Sequence, residues 1–82
     1  MKNNVYTIFD KVAQESGPLF ECKNDAVAQR NFKDLIKREN LPPKDYILYL
    51  IGRFEHETMT MFCHDLIEVG LEEEIPDAIQ GI

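Results

Sequence analysis

The 82-residue chain predicts an α+β fold, a small antiparallel or mixed three-stranded sheet covered on one face by a single helix. Three observations predict it. Residues 5–9, Val-Tyr-Thr-Ile-Phe, are β-branched or aromatic throughout, which suits a pleated, half-buried strand. Ala28, Phe32, Leu35 and Ile36 fall at i, i+4, i+7 and i+8, the single apolar stripe of an amphipathic helix. Residues 46–51 are apolar at every position, as in a strand shielded on both faces or lying at an interface.

The remaining elements come in order. Ser16-Gly17-Pro18 breaks the chain after the first strand, and residues 19–22 read as a short extended segment. Asn24 is a good N-cap and Asp25 favours the positive end of a helix dipole, so the helix runs from there to Glu39. Asn40 and Pro42-Pro43 end it, because proline removes a donor and biases its predecessor away from helix. A strand over 45–54, a polar hairpin loop over 55–58 and a strand over 59–63 complete a body of residues 1–64. Residues 65–82 read as an acidic tail, with a helical turn over 65–71 and a mobile stretch from Glu72. One helix covers one sheet face. The other would present some of Tyr6, Ile8, Tyr49, Ile51 and Phe62, unless the register, which the sequence does not fix, buries that alternating set instead.

With 44% hydrophobic and 29% charged residues the chain is expected to fold, but a chain this short buries a small core and is marginal alone. A homodimer that buries residues 46–51 is therefore expected. Two cysteines make a disulfide framework improbable, and the start Met1-Lys2-Asn3-Asn4 lacks the apolar core of a signal peptide, which together point to a reducing cytoplasm. The longest apolar run, 46–51, is far short of the roughly 18 to 20 residues that cross a bilayer, so no membrane partner is expected. Through His64 nine basic residues balance nine acidic ones. The six acidic residues beyond, with no basic one, account for the whole net charge of −6.

Tyr6 with Asp10, Gly17-Pro18 and Phe20, then Asn24, Ala28, Arg30 and Phe32, and finally Pro43, Asp45-Tyr46, Leu48-Tyr49, Gly52, Phe54 and Thr58 make a pattern. It resembles the small nonstructural protein of gokushovirus-like microviruses, tailless phages with circular single-stranded DNA. The most specific stretch is Pro-x-Asp-Tyr-x-Leu-Tyr-x-x-Gly-x-Phe, from Pro43 to Phe54. The likeness covers about residues 5–58 and departs where that family often has glycine after the threonine and this chain has Met59. The resemblance implies a DNA-binding protein of the host cytoplasm that acts in single-stranded genome production or packaging.

The residues themselves offer candidates for such binding. Lys23, Arg30 and Lys37 are seven apart, with Lys33 beside the last two, so a basic stripe runs along the helix opposite its apolar face. Such a stripe tracks phosphates, or is simply a solvated face. Strand aromatics, Tyr6 and Tyr49 foremost and also Phe9, Tyr46, Phe54 and Phe62, either stack unpaired bases or fill the core. The tail's Glu72-Glu73-Glu74-Ile75-Pro76-Asp77 is similar in kind to the acidic tails of single-stranded DNA-binding proteins, which compete with DNA, and is otherwise a solubilising segment. Cys22, His56, Cys63 and His64 are possible zinc ligands, but none forms a metal-binding pair of the usual spacing, so neither metal nor cofactor is expected. Glu55, His56 and Glu57 share a loop without a nucleophile or phosphate loop nearby, so no catalysis is expected. The expected function is sequence-independent binding of single-stranded DNA. The alternative is an acidic dimer that binds a phage replication or capsid protein, or a host nucleic-acid-binding protein.

Overall fold

The structure, a computed structural model, describes residues 1–70. Five strands and one helix succeed each other as β1 (Lys2–Asp10), β2 (Glu15–Ser16), β3 (Phe20–Cys22), α1 (Asp25–Arg38), β4 (Tyr46–Glu55) and β5 (Thr60–Val69). All pairings are antiparallel, in the order β2-β1-β4-β5, with β3 lying beside β2 along the same edge of β1. The α+β class and the single helix agree with the sequence reading; the sheet has five strands rather than three.

Strand β3 falls within the extended segment read at residues 19–22, whereas β2 escapes the sequence reading because its turn is built from side chains. Asp10 Oδ1 accepts from the Val12 and Ala13 amides at 3.0 Å each, and Gln14, in the left-handed region at φ 62°, donates its amide to Asp10 O. An aspartate bonding its own backbone onward makes such a turn without glycine. Gly17 then donates to Ile8 O, and Thr7 Oγ1 donates to Gly17 O at 3.0 Å, which fastens the connection to β1.

Helix α1 is capped as expected. Asn24 Oδ1 accepts from the Val27 amide at 3.0 Å, and Lys37 and Arg38 sit in the last turn. Its stripe of Ala28 and Phe32, flanked by Val27 and Ile36, packs with Tyr6, Cys22, Leu48 and Val69. The prolines do more than end the helix: Pro43–Asp45 forms a 3₁₀ turn that leads directly into β4.

The central strand β4 carries the irregularity that sets the surface. Tyr6 pairs with Leu50 and Val5 with Gly52, so Ile51 is an extra residue, a β-bulge. Before it, Tyr46, Leu48 and Leu50 face the helix, opposite Asp10, Ile8 and Tyr6; after it, Arg53, opposite Asn4, takes the helix side. On the other flank Leu50 pairs with Ile67 and Gly52 with Cys63, which leaves β5 two residues longer over the same stretch. Gly52 is required there: a Cβ on it would lie 2.0 Å from the Phe62 carbonyl oxygen.

Two boundaries differ from the sequence reading. Strand β5 continues through Val69, which is buried against the helix, so residues 65–69 belong to the body and form neither a helical turn nor a tail. The alternation that would mark a strand is hidden by the two extra residues, and the acidic Asp65 and Glu68 mimic the start of the tail. The acidic stretch from Glu72 lies outside the described residues. Both edges of β4 are taken, by β1 and β5, so residues 46–51 offer no edge to a second copy.

Two substitutions of opposite sign test this backbone. Gly52→Ala should lower stability by roughly 3 kcal/mol, because its neighbour is main chain and cannot swing away. Met59, exposed in the hairpin loop at φ 57°, occupies a conformation that costs an L-residue about 1 to 2 kcal/mol, so Met59→Gly should raise stability by about 0.5 to 1 kcal/mol after the entropy of glycine is counted. Urea midpoints of the two variants against the parent measure both.

Candidate nucleic-acid interface

The basic stripe forms as the helical spacing requires. Arg30 and Lys37 are exposed on the side of α1 away from Phe32, and Lys23 is exposed just ahead of the N-cap. Lys33 is half-buried and engaged by another group. Of the ion pairs among the described residues, Arg38–Glu39 at 3.7 Å lies at the helix end, beside the stripe rather than on it.

The two rings singled out as stacking platforms are placed differently. Tyr6 is fully buried, so it presents no face to a base. Its hydroxyl donates to Asp25 Oδ1 at 2.5 Å and accepts from Asn4 Nδ2 at 2.9 Å, and its ring stacks on Phe20 with centroids 5.8 Å apart. Burial first, and then the bond to Asp25, push its hydroxyl well above the ordinary tyrosine range, so it stays protonated. Tyr6 therefore ties β1 to the first turn of the helix. Tyr49 is half-buried and pairs with Thr7 and Glu68, on the sheet face opposite the helix. The sheet thus separates Tyr49 from the basic stripe, and the two cannot line one groove in a single copy. Ile8 also faces the helix, so neither Ile8 nor Tyr6 belongs to the open face that the sequence offers them for.

Arg53, outside the expected set, and Phe62, one of the rings offered for stacking, do share the stripe's side. The register runs Cys22, Asn4, Arg53, Phe62 in one row across β3, β1, β4 and β5. Asn4 and Cys22 face the helix, so Arg53 and Phe62 do too, beyond the part of the sheet that α1 covers. Arg53 is exposed and Phe62 retains 47% of its surface. A glycine inside an apolar strand is the signal that would have found them, because it marks a bulge that reverses the facing of the residues beyond it.

The possible metal ligands are scattered. Cys22 is buried in the core, where desolvation raises its thiol pKa, and Cys63 is exposed on the face away from the helix. His56 bonds Glu21 at 2.6 Å, and His64 Nδ1 lies 2.7 Å from Asp65 O. The His56 contact first, and the Asn3 amide second, hold the Glu21 carboxyl below its usual range. Among the described residues no three His, Cys, Asp or Glu gather into a group that could hold a metal. A cleft of about 360 Å³ beside the helix is lined by Ile8, Phe20, Leu35 and Tyr46 with Asp10 and Glu15, walls without a cation for a phosphate.

A family model described as Phage ORF5 protein matches residues 3–72. The chain belongs to this family of phage proteins. The match runs from β1 to just past the end of β5, so the family unit is the whole described fold rather than its first 58 residues. No curated protein and no solved structure matches the chain. No helix among the described residues is long and apolar enough to cross a membrane.

The assignment of Tyr6 to the frame has a direct check. Tyr6→Phe should lose about 1 to 2 kcal/mol of stability, since Asp25 and Asn4 are left without their partner. Chemical denaturation should show an earlier midpoint with an unchanged slope.

Proposed function

We propose that this phage protein is non-enzymatic and binds single-stranded DNA without sequence specificity, as an accessory to single-stranded genome production or packaging of a microvirus in the host cytoplasm. The observation that supports this reading most is the placement of cations and an open ring on one side of the molecule. Arg30 and Lys37 lie along the helix, Lys23 at its start, and Arg53 beside the exposed ring of Phe62. Guanidinium and ammonium groups on that side meet phosphates, and a ring stacks a base of any identity at about 1 to 3 kcal/mol. Because the helix lies with its apolar stripe on the sheet, its cations contact backbone rather than reading base edges. The acidic stretch from Glu72 supplies a charge that competes with DNA for the same cations.

A second reading, an acidic module that binds a phage or host protein, is favoured by the net charge of −6 and by the exposed apolar side chains of β5. Fluorescence anisotropy with a labelled oligo-dT separates the two. Three or four engaged cations per chain should give a slope of log affinity against log salt of about −2 to −3. Reversing Arg30 and Lys37 together to Glu should weaken binding at least tenfold at low salt, while Tyr49→Ala should leave it unchanged. No binding at low salt, or binding indifferent to the reversal, would favour the protein-binding module.

A further inference from the structure

The two edges of the sheet are unlike. One is made of β2 and β3, two and three residues long, interrupted by Gly17-Pro18, which leaves little to pair with. The other is β5, ten residues with no proline, lysine or arginine, and nearly all exposed. Met61, Phe62, Leu66 and Ile67 retain 37%, 47%, 60% and 50% of their surface. Among the described residues β5 is therefore a long edge with open apolar side chains, a template for another strand.

We infer that β5 pairs antiparallel with β5 of a second copy, in a register that sets Phe62 across from Ile67 of the other copy and Cys63 across from its Leu66. A twofold axis perpendicular to the sheet keeps every side chain on its own side, so residues paired across the axis must share a side. In a regular strand, residues an odd number apart face opposite ways and cannot do so. The two extra residues of β5 remove that obstacle. Phe62, paired with Arg53, and Ile67, paired with Leu50, both face the helix side although they are five apart. Cys63, paired with Gly52, and Leu66, next to Ile67, both face away although they are three apart. The same register sets His64 across from Asp65, so an imidazole meets a carboxylate on each side of the axis, while Met61 meets Glu68 and Thr60 meets Val69 at the two ends. The central stretch of the strand, residues 62–67, is complementary to itself, which singles out a second copy as the occupant. A chain with a core this small gains most from such a partner.

The arrangement joins two five-stranded sheets into one and places both helices on the same side. The cations of α1 in the two copies then face one way, with Phe62 and Ile67 of both copies between them. The inference stands on the strand and its register alone, and it holds whether or not the protein binds DNA.

Light scattering under reducing conditions, at tens of micromolar, should give twice the 9.5 kDa mass of one chain. Leu66→Cys, at an exposed position, should then form a covalent dimer on mild oxidation, and adding Cys63→Ser should abolish it. The unmodified chain should not cross-link, because its two Cys63 residues lie three positions apart along the paired strands, roughly 10 Å and beyond disulfide reach. A monomeric mass would overturn the inference. So would a covalent dimer through Cys63 alone, or a dimeric Leu66→Cys variant that fails to cross-link.

Discussion

The approach of β5 to Gly52 is the contact on which the rest of this structure depends. The main chain of Phe62 lies where any side chain at position 52 would have to be. That closeness holds β5 against β4 at the point where both strands are irregular, with Ile51 extra on one and two residues extra on the other. A bulge is a local change with a global result, since it reverses which residues face the core for the remainder of the strand. Here it lets Leu48 and Leu50 close the core under the helix while Arg53, an odd number of residues further on, faces the same side.

The same contact explains the composition of the surface. Beyond the bulge Cys22 still packs in the core at the β3 edge, but β4 and β5 lie open, and the residues that turn up there are a guanidinium and an open phenyl ring rather than the leucines that precede them. The helix adds its own cations along the opposite side of the stripe that packs on Tyr6 and Leu48. The exposed cations and the open ring therefore sit at the margin of the core. The far face of the sheet, with Tyr49 and Glu68, is a separate surface.

Much of this frame is legible in the residues. Asn24, the stripe from Ala28 to Ile36 and the prolines after it define the helix to within a residue, because caps and helical periodicity are local properties. The apolar run at 46–51 marks the central strand for the same reason. Facing is not local. Tyr6 reads equally well as an exposed ring or a core ring until Asp25 is seen to take its hydroxyl, and Phe62 and Arg53 exchange sides through a single bulged residue. The second half of β5 is hidden by its extra residues, and β2 by a turn made from Asp10 instead of glycine. Most residues that carry the family likeness, among them Tyr6, Asp10, Asn24, Phe32, Leu48 and Gly52, hold the fold together, whereas Arg30 is exposed on the helix.

The register around Gly52 is the most direct test of this account. Cross-strand proton contacts measured by NMR in the uniformly labelled chain should connect Gly52 with Cys63 and, in the same molecule, Leu50 with Ile67 and Leu48 with Val69. A regular ladder would instead connect Leu50 with Asp65 and Leu48 with Ile67. That second set would mean that β5 carries no extra residues over this stretch, and that Asp65 rather than Ile67 lies beside Leu50 on the side of the helix.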